Sequence, residues 1–166
     1  MNKHAIVEKI VACLVAELEL YARSAQAAHA DATHEQSKAE NKYDTRGLEA
    51  SYLARGQSRQ AAETETARQL FASLELRDFG PETPVDVGAL VELETEPGAG
   101  RGDGERSFYF IGPRAGGTEV VHDKKTILVI TPESPLGREV VGKRQGDRFT
   151  ISIGGLRGNY RVVSVW

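Results

Sequence analysis

The chain changes its hydrophobic period once, and this change restricts its fold more than any other feature. Between residues 7 and 32, apolar or small side chains recur in alternating steps of four and three, the spacing of a coiled-coil seam. From residue 89 onward, short β-type runs alternate with turns rich in Gly and Pro. The segment DFGPETPVDVG separates the two patterns, and its prolines push the residues before them out of helical geometry. The sequence therefore predicts an α+β chain in two parts, residues 1–79 and 80–166.

The first part is predicted to be an antiparallel hairpin of two helices. The second helical segment runs from about residue 44 to 77 without an internal proline, and the connection falls near residues 37–43. Helices of about 30 residues would each span roughly 45 Å. Such a hairpin buries little apolar surface for its length, so its shape is suited to reaching a distant site rather than to stability. The predicted seam consists of Val7, Val11, Leu14, Leu18, Tyr21, Ala25, Ala28 and Ala32.

The second part is predicted to be a small, mostly antiparallel sheet that curls over one short helix. Only the stretch SPLGREVVGKR offers a helical turn. We expect this part to remain folded when residues 1–78 are removed. The predicted strands are residues 89–95, 107–112, 118–122, 126–130, 149–153 and 160–166.

Charge and composition exclude several classes of function. The net charge of -3 divides almost evenly between the two parts, and neither has the clustered cations that direct binding of duplex nucleic acid requires. Charged residues interrupt the apolar N-terminal stretch, so we expect a cytoplasmic protein without a membrane span. The histidines are scattered, and we assign no metal site to the free protein. Cys13 is expected to pack in the helical seam.

The stretch VITPESPLGREVVGKRQGDRFTI closely resembles the C-terminal domain of the Gre family of bacterial transcription elongation factors. The shared order is a hydrophobic strand, Ser-Pro-x-Gly, a short amphipathic helix, and Gly-Lys-x-x-Gly-Asp before the next strand. The closing run YRVVSV continues the likeness. The resemblance implies an FKBP-like sheet domain preceded by a helical hairpin. It is carried by Ser134, Pro135, Leu136, Gly137, Arg138, Val141, Gly142, Lys143, Gly146 and Asp147.

The resemblance also implies a partner and a mode of action. Gre factors dock their sheet domain on the rim of the secondary channel of RNA polymerase, and the hairpin tip reaches the active centre. Two tip carboxylates there help to hold a Mg²⁺ ion of the polymerase, whose own active site cleaves the RNA. The implied partner is core RNA polymerase, with the 3′ end of the nascent RNA contacted indirectly. The chain would be an accessory factor without a cofactor of its own, and not an enzyme.

The tip of the hairpin departs from the common Gre pattern. The usual string Gly-Asp-Leu-Ser-Glu-Asn is missing, but ENKYDT aligns with Gly-Asp-Lys-Tyr-Glu-Thr of a divergent Gre-like subgroup. On this alignment Asp44 takes the position of the Glu, and Asn41 falls where the first Asp should be. An amide oxygen is a weaker, uncharged ligand, so the pair is incomplete unless Glu40 or Glu49 substitutes. Both alternatives remain open.

Two further sets of residues are candidates for contacts with the polymerase. The resemblance places docking on the loop of Ser134, Pro135, Leu136 and Gly137, with Leu136 exposed as the apolar contact. Cations of the hairpin could line the channel or contact RNA phosphates, or they could form pairs with acids on a solvated helix face. Tyr52 is expected to be a packing residue. The cations are Lys38, Lys42, Arg46, Arg55 and Arg59.

The function favoured by these observations is regulation of transcript elongation or pausing by a monomer. A full cleavage factor that rescues backtracked complexes is the first alternative. A prolyl isomerase or peptide-binding module is a rival from another class, because the implied sheet domain is FKBP-like, although a fold alone is weak support for an activity. A self-assembling coiled-coil adaptor is the remaining rival.

Overall fold

The computed structural model describes residues 1–33, 46–96, 104–153 and 156–166. It confirms the α+β class, with a pair of long helices followed by a sheet and a short helix. All six runs predicted as strands are strands, with ends that differ by four residues at most. The elements are α1 (Lys3–Thr33), α2 (Arg46–Ala72), β1 (Leu90–Glu96), β2 (Arg106–Ile111), β3 (Glu119–His122), β4 (Lys125–Ile130), α3 (Pro135–Val140), β5 (Arg148–Ile153) and β6 (Leu156–Val165).

Helices α1 and α2 form the antiparallel pair. Near the start of α1, the Lys3 ammonium donates to the carbonyl of Arg77, just beyond the end of α2. Farther along α1, Tyr21 contacts Gln60 and Thr64 of α2. With 31 and 27 residues, the helices are about 46 and 40 Å long. The predicted turn near residues 37–43 lies outside the described residues. None of the described helices is both long and apolar enough to cross a bilayer.

The six strands form one mixed sheet in the order β3-β4-β2-β1-β6-β5. Pairs of described strands are antiparallel except β2 with β4, which run parallel. After β2 the chain forms β3 at the edge of the sheet, and it then returns as β4 beside β2. The sheet was predicted to be mostly antiparallel, and the pair that runs parallel was not located by the sequence. Hairpin β3-β4 is closed by Asp123 and Lys124, both with positive φ, as a tight two-residue turn requires.

Each face of the sheet is covered by a different part of the chain. On one face, Phe108, Phe110 and Ile127 pack against the base of the two helices. On the other, Val91 and Leu93 pack against α3 and the segment that follows the hairpin. Because the hairpin base fills one of the two cores, the structure argues against the expectation that the sheet domain folds after removal of residues 1–78.

The shared core changes which side of α1 is buried. Ile6 and Ile10 are fully buried although they lie outside the predicted seam, because the sheet is a second partner for this end of the helix. Val7 and Leu14 of the seam are buried as predicted, whereas Ala25 is exposed. The expectation for Cys13 was wrong, since its side chain is exposed.

Candidate functional site

A polar layer joins the two helices where the apolar base ends. The hydroxyl of Tyr21 donates to Glu17 Oε1 at 2.6 Å, one turn away on α1. This hydrogen bond to a carboxylate raises the pKa of Tyr21, and the ring's hydroxyl also contacts Gln60 and Thr64 across the hairpin. Thr64 is buried. Polar contacts inside a helical seam fix the register between helices, so this layer sets how far α2 is displaced along α1.

Beyond the polar layer, the two helices form a stem whose described side chains, in residues 22–27 and 54–60, are mostly exposed. Ion pairs on this part of the molecule run along α2. Arg59 Nε donates to Glu63 Oε1 at 2.9 Å, and its side chain is 83% exposed. Nearer the base, Arg68 donates to both oxygens of Glu65, which lowers the pKa of that carboxyl to about 2. Arg59 therefore fits the alternative in which the cations pair with acids on a solvated helix face, and its partner is Glu63. Arg55 is exposed on the same stem.

Most of the predicted tip lies outside the described residues. This applies to Lys38, Glu40, Asn41, Lys42 and Asp44. Arg46 and Glu49 belong to the first turn of α2, and their side chains are not among those described. The candidate carboxylates and the cations next to them therefore remain predictions.

Tyr52 is the described aromatic residue nearest the tip. Its side chain is 68% exposed on α2, so the expectation that it packs in the seam was wrong.

The Ser, Pro and Gly of the Ser-Pro-x-Gly loop each have a local structural role. Ser134 is the N-cap of α3: its Oγ accepts from the Gly137 amide at 3.0 Å and donates to the Thr131 carbonyl at 2.8 Å. Pro135 occupies the first helical position, where its missing N–H costs nothing. A side chain at Gly137 would lie 1.9 Å from the Thr131 oxygen, so only glycine allows α3 to approach that strand end.

The side chain of Leu136 is less exposed than the sequence predicted. The side chain is half-buried and packs against the core that α3 covers. Pro135 is the exposed member of the loop, and Gly137 is buried. A partner that docks here would therefore contact the Pro135 ring and the outer part of Leu136, on a loop that is held rigid by the Ser134 cap.

Replacing Leu136 by Asp is expected to lower thermal stability, because a carboxylate would lie against the apolar core. We expect a loss of about 1–2 kcal/mol, or a fall in the midpoint of roughly 2–8 °C for a chain of this size. Pro135→Ala removes an exposed ring and its fixed φ, which is worth about 0.4–1 kcal/mol, so the midpoint should fall by only about 1–4 °C. Thermal unfolding followed by circular dichroism measures both variants. An unchanged midpoint for Leu136→Asp would mean that the side chain faces solvent, as first expected.

A groove of about 1490 Å³ lies between the helical stem and the loops at one end of the sheet. The stem contributes Glu17 and Glu63, and the sheet loops contribute Arg114, Glu133 and Ser134. The Ser-Pro-x-Gly loop therefore borders the groove through Ser134. Sequence reasoning missed it, because residues 113–117 carry no signal beyond that of a turn and the groove arises only when the hairpin is placed over the sheet.

The described residues contain no group of three His, Cys, Asp or Glu side chains arranged as a metal site would be. Catalytic pairs of nucleophile and base were not predicted from the sequence either. What the described residues do form is a long two-helix hairpin carried by a sheet domain with a capped loop.

Comparisons with known proteins found similarity to solved structures. No protein-family model and no curated protein sequence matches the chain. Gfh1 of Thermus aquaticus is 24% identical with a TM-score of 0.40, covering 92% of this chain and 90% of that one. GreA factor homolog 1 of Thermus thermophilus is 21% identical with a TM-score of 0.38 and covers 94% of each chain. A GreA/GreB elongation factor from Nitrosomonas europaea is 20% identical with a TM-score of 0.37, covering 61% of this chain and 78% of that one. These solved structures belong to Gre-related factors, the family that the sequence resembles.

Proposed function

We propose that this chain is a Gre-like factor that binds core RNA polymerase through the secondary channel and modulates transcript elongation or pausing. The observation that carries the proposal is the reach of the hairpin. From Leu14, the outermost buried residue among the α1 side chains that the structure describes, the helix continues to Thr33, a distance of about 28 Å. A thin, solvated stem of this length contributes little to stability, and it suits entry into a narrow channel.

Docking is proposed for the end of the molecule that carries the Ser-Pro-x-Gly loop. The Ser134 cap and the fixed φ of Pro135 reduce the entropy that this loop would lose on binding. The neighbouring groove, with Arg114 and Glu133 on its sheet side, supplies polar groups of both signs beside it. Docking and chemistry would then take place at opposite ends of the hairpin.

The proposed role of the tip is to supply charge to the active centre of the polymerase. Hard cations such as Mg²⁺ prefer carboxylate oxygens, and Asp44 with Glu40 would present them. Asn41 stands where a second carboxylate would complete the pair. For this reason modulation of elongation is proposed ahead of full cleavage activity.

The described sheet gives no support to the isomerase rival. Phe108 and Phe110 are buried in the core beneath the hairpin, and Phe149 is buried in the second core, where it stacks on Tyr160 at 5.6 Å. The groove is lined without an aromatic side chain among the described residues. An apolar aromatic pocket for proline is therefore not among the features that the described residues form.

The proposal is tested with purified protein, core polymerase and stalled, backtracked elongation complexes in Mg²⁺. Asp44→Ala is expected to abolish any effect on RNA cleavage or pausing without changing polymerase affinity, because the proposal assigns chemistry to the tip and docking to the sheet domain. Asn41→Asp is expected to raise cleavage, since it regains a charged oxygen ligand with little change in shape. Glu75→Ala, which removes an exposed carboxylate at the base, is the matched control and should change neither quantity.

The outcomes separate the alternatives. Shortened RNA with the parent protein, unmoved by Asn41→Asp, would identify a full cleavage factor whose site is completed by Glu40 or Glu49. Unchanged transcriptional effects in Asp44→Ala would mean that the charged tip is only a solvated turn. Absence of polymerase binding by the parent protein would overturn the proposal as a whole.

A further inference from the structure

The hairpin base contacts the sheet through both of its helices. On the α1 side, Lys9 Nζ donates to the Val121 carbonyl of edge strand β3 at 2.6 Å. On the α2 side, Phe71 is 1% exposed and contacts Phe110 of β2, with ring centroids 6.2 Å apart. Because Lys3 ties the foot of the hairpin to the Arg77 carbonyl, the tilt of the hairpin depends on how closely Phe71, nearer the stem, approaches the sheet.

Gly112 limits the approach of α2. A Cβ atom built at this position would lie 2.7 Å from Phe71 Cζ, far inside van der Waals contact. It would also lie 2.8 Å from Val129 Cγ1 and 3.0 Å from the Arg114 carbonyl oxygen. The Gly112 backbone cannot retreat easily, because its amide donates to the Ile130 carbonyl at 2.8 Å. The tip of the Phe71 ring therefore occupies the space that any other residue at 112 would fill.

The backbone at Gly112 does not itself require glycine. Positive φ angles occur at five other described glycines, Gly88, Gly104, Gly117, Gly142 and Gly146, and Gly112 is not among them. The need for glycine at 112 is thus a need for space in front of Phe71. Val129 Cγ1 and the Arg114 carbonyl oxygen restrict the same space, and Phe71 Cζ is the nearest of the three atoms.

The geometry points to Gly112 as a positioning residue that sets the angle at which the hairpin leaves the sheet. The Phe71 ring is the contact through which it acts. The foot of the hairpin is held where Lys3 donates to the Arg77 carbonyl, about nine residues of α1 below the level of Phe71. If Phe71 is displaced by about 1 Å while this foot, roughly 13 Å away, stays fixed, the hairpin tilts by about 4°. At Ala54, 17 residues farther out along α2, that tilt becomes a shift of about 3 Å.

Spin labels can measure the angle directly in the full chain. In a Cys13→Ser background, which removes the exposed native thiol, labels are placed at Ala54→Cys on the stem and Thr126→Cys on β4, both exposed positions. Gly112→Ala is expected to shift the label-to-label distance by about 3 Å. Adding Phe71→Leu, which removes Cζ, should bring the distance more than halfway back to the parent value. Val129 remains in contact and prevents complete recovery.

Gly116→Ala is the matched control. It lies in the next loop segment, has no positive φ, and its added Cβ would meet Thr131 Cγ2 at an ordinary 3.4 Å. The distance in this variant should equal that of the parent. An unchanged distance in Gly112→Ala would overturn the inference, and so would a shift that Phe71→Leu fails to reduce.

If Gly112→Ala does not fold, Phe71→Leu alone carries the test. A shorter side chain leaves the space in front of Gly112 partly empty, so the hairpin should sample a wider range of distances around the parent value. A distribution as narrow as that of the parent would show that Phe71 and Gly112 do not set the angle.

The functional consequence rests on the proposed function, because the angle matters only if the tip must reach a distant site. Gly112→Ala should then bind polymerase as tightly as the parent and lose much of its effect on elongation, with partial recovery on adding Phe71→Leu. The distance measurement needs no polymerase. A parent protein that does not bind polymerase would therefore overturn the proposed function and leave the positioning role of Gly112 intact.

Discussion

A chain that begins at residue 80 is expected not to fold cooperatively. Its sheet would expose five apolar side chains that are now covered by the hairpin base: Phe108, Phe110, Val120, Ile127 and Val129. At about 1.5–3 kcal/mol for each buried side chain, the loss is roughly 10 kcal/mol. Whole domains are commonly stable by only about 5–15 kcal/mol, so this loss is comparable to the total stability. Urea unfolding of the truncated chain should show no sharp transition.

A shortened hairpin is the matched control for this truncation. Replacing residues 25–56 by a short Gly-rich linker removes the solvated stem but keeps the base and the contact of Tyr21 with Gln60 and Thr64. This variant should unfold in one cooperative transition. A sharp urea transition and dispersed amide resonances for the chain that begins at residue 80 would instead show that the sheet domain is independent of the hairpin.

The sequence was sufficient for the elements themselves. Short β-type runs bounded by Gly and Pro located all six strands, because the turn residues end each run before a helix of ordinary length could form. The Ser-Pro start of α3 was equally clear, since an N-cap and a proline at the first helical position are local signals. The parallel pairing of β2 with β4 carries no such signal, because the alternation within a strand is the same for both directions.

Errors in the predicted packing share one cause, which is contact between segments far apart in the chain. A seam with steps of four and three describes a helix with one partner. The base of α1 has two, which is why Ile6 and Ile10 are buried beyond the seam. Leu136 was expected to be exposed because the turn around it projects outward, but it packs against the second core. The groove beside it has the same origin, since its two walls come from the stem and from the sheet loops.

The contacts of Lys3 at the base of the hairpin could not be predicted from the sequence either. Lys3 is 7% exposed, its ammonium lies 4.7 Å from the centroid of the Phe79 ring, and it donates to the Arg77 carbonyl. Burial lowers the pKa of Lys3, with Asp78 acting in the opposite direction. These contacts tie the first turn of α1 to the segment that follows α2. A lysine three residues from the N-terminus would otherwise be expected to be solvated.

Gly137→Ala is expected to destabilise the protein strongly, although alanine favours helix more than glycine does. The new methyl group would lie 1.9 Å from the Thr131 oxygen and 2.9 Å from Ser134 Oγ, so the first turn of α3 must move away from the end of β4. Overpacking of this kind costs about 1–3 kcal/mol, and loss of the Ser134 cap adds about 1 kcal/mol. The midpoint of thermal unfolding should fall by roughly 5–15 °C.

Gly56→Ala is the matched control, because Gly56 also lies within a helix, α2, and an added Cβ there meets nothing within 4 Å. In this open position the higher helix propensity of alanine should stabilise the protein by about 0.5–1 kcal/mol. The same substitution in two helices is thus expected to have opposite signs, and the difference isolates the contact with Thr131. If Gly137→Ala also raised the midpoint, the glycine of the Ser-Pro-x-Gly loop would not be required for packing. Its place in the motif would then have to be explained by a partner that approaches the backbone there.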